Sequence, residues 1–445
     1  MTAVPVLVPR TSPRLQYVLD WLPFNITEQW YTICTNEAEI PEGTFFISYG
    51  KKLPGALSVP DTGLLWETGI APQQVAQGTW NHLPTLFAAD GDCTLPFDIF
   101  SAIFYLLSRY EEYLPYTPDR HGRYPATESI LYQTGLLQRP IVDEWVYRLR
   151  KILQTDFGQA PFTNIFRFEP SYDIDIAWSY QNKGLLRNAG GLARDILKGD
   201  FPAAAKRIGV LAGNKKDPYD SFARLQVLHE QFNLRPYWFI LAALKTTPFD
   251  KNISPRHPEM KALIYRLSRQ GDMGLHPSYY SFDPHIFKAE RMVMERITGR
   301  EFISSRQHYI KMKFPDTCKL LLGQAGSWCD FSIGYGTHPG FRAGTGEAFY
   351  WYNFEAEKEE FMLQLNPFCF MDTTARYDCG MPVDEAFELL RKMAQSLKTC
   401  NGRLTTVFHN FSLGTDKEWS GWYEAYERFV QEVGMQSEPE LSRKV

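Results

Sequence analysis

A run reading SYDIDIAW carries two aspartates, Asp173 and Asp175. In an extended segment residues two apart point the same way, so both carboxylates share one face while Tyr172, Ile174 and Ile176 take the other. Two like charges that close disfavour each other unless a cation or hydrogen-bond donors lie between them. The pair therefore calls for a metal ion or an arginine; the plainer alternative is one Asp capping a loop beside another that is solvated. Further on, GDMGLHPS puts His276 just before a proline that ends the run, where a neutral imidazole suits a divalent metal shared with Asp175. SRQHY supplies Arg306, whose fork matches a carboxylate, together with His308 and Tyr309. GSWCDFSIGY holds Asp330, FCFMDTT holds Asp372 and TTVFHNF holds His409. A carboxylate in such apolar company is costly unless it is paired or sits at the wet end of its element.

Elements must bring these residues together. Strand-like runs are expected at Ile165–Ile176, Leu234–Leu241, Asp272–His276, Phe302–His308, Ala325–Ser332, Gln364–Asp372 and Arg403–His409. Helical patterns lie between them at Ser221–Gln231, Pro258–Arg269, Pro284–Thr298 and Pro382–Leu397, and a last one closes the series at Trp419–Val433. That alternation predicts a parallel α/β sheet or barrel, in which chemistry gathers at the carboxyl ends of the strands. The rare polar residues fall at those ends. At 445 residues the chain exceeds one ordinary domain of roughly 100–200 residues. The first third alternates short strand-like runs with Pro- and Gly-rich loops, then offers a long helix over Phe97–Tyr113 and another over Val142–Gln154. A polar stretch before Pro161 marks a boundary. The expected fold class is α/β: a seven-stranded (β/α) barrel over 161–437, preceded by a smaller α+β domain over 1–160.

Composition excludes several classes of function. With 44% hydrophobic and 22% charged residues the chain forms a packed core. A net charge of -4 offers no footprint for nucleic acid. The opening MTAVPVLVPRTSPR lacks a basic stretch followed by a long apolar one, and no window approaches ~18 uninterrupted apolar residues. No signal peptide and no membrane span are expected, which makes the cytoplasm the default compartment. Seven scattered cysteines without a CxxC pair read as reduced thiols.

The second half resembles the polysaccharide deacetylase family, carbohydrate esterase family four, a metal-dependent (β/α) barrel with five ordered motifs. Ser171–Asp175 stands where that family has T-F-D-D, a base followed by a metal ligand. His276 matches the first half of H-[ST]-x-x-H. Arg306–Tyr309 resembles R-x-P-Y with His308 in place of proline, Asp330 is the candidate for the fourth motif, and Leu404–His409 resembles the fifth. The strings RYEEY, GLHPS, SRQHY, GYGTHPGFRAGT and a final HN are similar to a divergent bacterial branch with an extra N-terminal domain. Two departures stand out. Ile174 separates the aspartates, leaving open which is base and which is ligand, and Tyr280 replaces the family's second ligand histidine. His308 turned inward restores an Asp-His-His set; otherwise it contacts substrate, or the site no longer binds metal. His285 is a poorer substitute.

The resemblance implies that Asp175, His276 and His308 hold a divalent metal, zinc by the chemistry of the donors. Asp173, braced by Arg306, then serves as base, and His409, oriented by Asp330 or Asp372, as acid toward the leaving amine. The implied activity is hydrolysis of an N-acetyl group on an amino sugar or surface-glycan precursor. Carbohydrate would stack on aromatic residues such as Trp328, Tyr280 and Tyr309. The Gly-rich stretch Gly334–Trp351 reads as a lid or substrate loop, with Arg342 an anchor for a substrate phosphate or carboxylate. Two alternatives remain: a degenerate sugar-binding module in glycan assembly, and hydrolysis of another C–N bond.

Overall fold

The computed structural model describes residues 3–22, 31–158 and 165–434. The expected boundary at Pro161, and the ends of both expected domains, lie outside the described residues. Toward the N-terminus, β1 (Val4–Leu7), β2 (Tyr31–Cys34), β3 (Phe46–Tyr49) and β4 (Ala56–Val59) form a parallel sheet in the order β2-β1-β3-β4. A hairpin, β5 (Gln77–Trp80) and β6 (Leu83–Leu86), stands beside it. The long helix expected over Phe97–Tyr113 is shorter, running from Ile99 to Leu107. Arg109 takes a left-handed φ of 55°, and a tight turn covers Tyr110–Tyr113. The break lets the buried Arg109 guanidinium donate to both Glu111 and Glu112, at 3.0 and 2.9 Å. A continued helix would have aimed those carboxylates elsewhere.

The second half is a nine-stranded sheet made of β7 (Arg167–Ile174), β8 (Tyr237–Leu241), β9 (Asp272–His276), β10 (Ser304–Ser305), β11 (Trp328–Ile333), β12 (Phe349–Asn353), β13 (Lys358–Pro367), β14 (Phe370–Met371) and β15 (Arg403–His409). The order is β12-β13-β11-β10-β9-β8-β7-β15-β14, with every pair parallel except β12 with β13. Nine strands stand where the sequence pattern suggests seven. The sixth expected strand is divided into β13 and β14, and β12 is an added antiparallel partner. The two residues at the division reach across the sheet: Phe368 N–H donates to Ile333 and Cys369 N–H to Thr405. The sheet therefore curls until segments from both of its ends share one strand connection.

The Gly-rich stretch after β11 is not a lid. It lies almost wholly buried between the two halves, held by Phe341 N–H to the Leu137 carbonyl, Val142 N–H to the Gly344 carbonyl and Thr345 Oγ1 to Asp143. Tyr17 and Trp21 of the N-terminal region also donate to the Tyr350 and Ala348 carbonyls. One contiguous apolar core runs from Val6 and Phe104 through to Ile240, Leu363 and Phe408. All seven cysteines are free thiols, and no helix among the described residues is long and apolar enough to cross a membrane.

Behind β7, Tyr172 stacks on Trp238, and its hydroxyl lies 2.7 Å from His229 Nε2 and 2.6 Å from the Tyr426 hydroxyl. Burial pushes the His229 pKa down to about 3. The folded state thus holds His229 neutral, while the unfolded chain protonates it near its ordinary pKa of about 6.5. The sign follows: this contribution to stability is present above pH ~6.5 and is lost as pH falls. Between pH 6.5 and 5 the loss should be about 2 kcal/mol. Urea-unfolding midpoints should fall more steeply with acid for the parent than for His229→Gln; equal slopes would remove His229 as the cause.

Candidate metal centre and active site

Asp173, the penultimate residue of β7, is in register with His409 on β15 and Phe239 on β8, and Asp175 follows just beyond the strand. His276 is the last residue of β9. Arg306 and His308 follow β10, whose regular part is only two residues long because the chain turns at once. Tyr309 and Ile310 there have φ of 60° and 52°, a costly conformation for a β-branched residue and one that swings His308 inward.

Three imidazoles converge on one carboxylate. His276 Nε2 lies 3.1 Å from Asp175 Oδ1, and His308 Nε2 and His409 Nε2 lie 3.4 and 3.5 Å from Asp175 Oδ2. Each ring is held from behind. His276 Nδ1 donates to the Arg306 carbonyl at 2.5 Å, His308 Nδ1 to Asp250 at 3.1 Å and His409 Nδ1 to Asp372 at 2.7 Å. Such partners at Nδ1 leave Nε2 as the atom presented to the site. Beside this cluster, Arg306 donates to Asp173 Oδ1 at 2.7 Å and to Ser171 Oγ at 2.8 Å, with Phe239 packed against its guanidinium. Asp173 Oδ2 faces His276 Nε2 at 3.8 Å.

Charge follows geometry. Burial works against a charged His308, yet Asp175 and Asp250 together lift its pKa to about 9. Burial likewise opposes charge on His409, and Asp372 and Asp175 raise it well above the ordinary imidazole value. Burial would raise Asp175, but His308 and His276 hold it well below the usual carboxylate range. Asp175 Oδ1 is buried without a hydrogen-bond donor, and donor atoms of Asp175, His276 and His308 all lie within 4.8 Å of one another. A carboxylate and two back-braced imidazoles around an undersatisfied oxygen fit a divalent cation of the zinc type.

These groups line a cavity of about 360 Å³. The structure distributes the other expected site residues as follows. Asp372 holds His409 and also accepts from the His409 N–H. Asp330 does not face His409: fully buried, it accepts from Ser305, Gln307 and Ser332 and ties β10 to β11. Arg342 is no substrate anchor, being 1% exposed and paired with Glu112. Trp328 is 1% exposed on the outer side of β11, against Phe287 and the Arg291 guanidinium. Tyr280 is exposed, packed on Tyr279 and Phe249 outside the cavity lining, and His285 is exposed on the helix Pro284–Thr298. Tyr309 lines the cavity.

Sequence reasoning passed over two groups. Asp250 stands nine residues beyond β8, too far from a strand end for periodicity to mark it; it accepts from His308, from Tyr279 N–H and from Thr247. Arg120, His121 and Arg123 come from the N-terminal half and line the same cavity. Arg123 donates to the Tyr309 carbonyl at 2.6 Å and is braced by Asp119. Gly336 leaves room for it, since a Cβ there would stand 2.1 Å from Arg123 Nη1.

Comparison with known proteins adds the following. A family of unknown function, DUF7033, matches residues 4–158. No curated protein matches. Among solved structures, a Mycobacterium smegmatis protein provisionally described as a polysaccharide deacetylase is 17% identical, over 62% of this chain and 86% of that one, with a TM-score of 0.37. The PuuE allantoinase is 12% identical over 72% and 91%, with a TM-score of 0.40. The Bacillus cereus polysaccharide deacetylase Bc1974 is 13% identical over 63% and 94%, with a TM-score of 0.30.

Two measurements test the geometry. Asp250→Asn keeps the shape behind His308 but removes the charge, and zinc affinity in a competition titration should fall about 10- to 100-fold. Gly336→Ala should displace Arg123 and weaken zinc binding without altering any charge; unchanged affinity would mean the Arg123 contact does not set His308.

Proposed function

We propose that this protein is a metal-dependent hydrolase that removes an N-acetyl group from an amino sugar or surface-glycan precursor. One observation carries the reading: a candidate cation site of Asp175, His276 and His308 is flanked by a carboxylate pinned to an arginine and by an imidazole bonded to the Asp372 carboxylate. A binding module needs neither of those flanking groups. A divalent metal, zinc by donor chemistry, would supply Lewis acidity toward an amide carbonyl and toward water.

The chain's own residues carry the remaining roles. Arg306 fixes one oxygen of Asp173, leaving the other to take a proton from water as its oxygen adds to the carbonyl carbon. Arg306 also keeps Asp173 oriented in a buried setting, where a misaligned base would lose most of its effect. His409, kept cationic by Asp372 and Asp175, gives its proton to the departing nitrogen as the C–N bond breaks. Acetate and a free amine result. In this reading Asp173 is the base and Asp175 the ligand, because Asp173 is the carboxylate engaged by arginine and Asp175 is the one ringed by imidazoles.

Acetate release from N-acetylated oligosaccharides and nucleotide sugars, assayed with zinc-loaded protein, is the direct test. Asp173→Asn and His409→Gln should each lower kcat by about 10²- to 10⁴-fold with zinc content unchanged. A parent that binds no divalent metal, yet binds sugar, would replace hydrolysis with the glycan-binding role.

A further inference from the structure

Between β7 and β8 the chain makes a helical hairpin, Leu185–Leu197 and Phe201–Leu211, that no part of the site chemistry uses. Its packing is unusual. The inward faces bury Asn188, Asp195 and Arg207 beside Ala204 and Val210, with Arg207 donating to Asp195 at 2.8 Å and lying over the Tyr180 ring. The large apolar side chains point out. Leu185, Leu186 and Leu197 are 85%, 89% and 87% exposed, and Ile196, Phe201, Ile208 and Leu211 are exposed beside them. These seven are nearly half of the sixteen exposed large apolar residues among the described residues. Such a concentration of exposed apolar side chains on one hairpin fits an interaction surface.

Charge identifies what fits it. Residues 183–216 hold eight basic and two acidic side chains in a chain whose net charge is -4. Arg187, Arg194, Lys198 and Lys215 are exposed, and no carboxylate among the described residues lies within 4 Å of them. An apolar face rimmed by unpaired cations suits the interface of an anionic bilayer. A second copy fits poorly, since a two-fold contact would set these cations against their own duplicates. The feet of the hairpin are tied beside the site: Ser179 and Tyr180 N–H donate to Asp217, and Asn410, next to His409, donates to the Ile176, Ala177 and Tyr219 carbonyls.

We propose that the 185–211 hairpin rests on an anionic lipid surface, with its leucine-rich face in the headgroup boundary, and so brings the carboxyl ends of β7 and β15 to the membrane. The proposal does not depend on the hydrolase reading, because binding needs no turnover.

The test is flotation of the full chain with vesicles of phosphatidylcholine alone or of phosphatidylcholine and phosphatidylglycerol at about 3:1. The parent should float with the anionic vesicles only, and added salt should weaken the binding. The triple variant Arg187→Glu, Arg194→Glu, Lys198→Glu should bind at least about 100-fold less tightly. The triple variant Leu185→Ser, Leu186→Ser, Leu197→Ser should also lose binding, with the urea midpoints of both variants matching the parent. The idea is overturned by equal flotation on both vesicle types, by no flotation, by variants that bind as the parent does, or by light scattering in which the serine variant turns a parent dimer into a monomer.

Discussion

One partly buried carboxylate, Asp175, has three imidazole nitrogens gathered around it within 3.5 Å, and the local architecture exists to keep them there. Imidazoles packed this closely crowd one another. They are tolerated because each ring has its own acceptor behind it, a carbonyl for His276 and carboxylates for His308 and His409. The acceptors come from three separate stretches of chain, so the arrangement holds only while the curled sheet keeps its register. A divalent cation would relieve the same crowding by taking the Nε2 lone pairs of His276 and His308.

The N-terminal region takes part in this constraint. Glu112 lies between Arg109 and Arg342 in a fully buried ion cluster, and Asp143 accepts from Thr345 and from the Gly346 N–H. Buried pairs of this kind add little net stability, yet losing one member is costly, so they act as locks of orientation. The lock sets the Gly-rich segment, whose Gly336 makes the space through which Arg123 reaches Tyr309. The region that the DUF7033 family model matches thus meets the candidate centre through a backbone contact on the residue after His308.

The hairpin over 185–211 follows the opposite rule. Elsewhere most large apolar residues are buried; here Arg207 and Asp195 pair inward and the leucines are outward. The energy that burying those leucines would contribute, about 1.5–3 kcal/mol for each side chain, is left available for a surface outside the protein.

Much of the chemistry was legible in the chain itself. Period-two alternation placed Asp173 and Asp175 on one face, and the breaks after His276 and His409 marked strand ends, because side-chain direction in a strand follows from local geometry alone. Other features were not local. Asp250 and Arg123 join the site only through folding, and the helix that periodicity would continue is broken at Arg109, whose guanidinium meets Glu111 and Glu112 in the buried interior. Trp328 and Arg342 have types suited to sugars and phosphates, but the packing of β11 and the Glu112 lock turn them away from the cavity. The sequence by itself determined which residue types alternate along each strand and where the strands end. Tertiary structure alone decided which of them share a cavity, because that depends on contacts between segments far apart in the chain, whose closure no local pattern encodes.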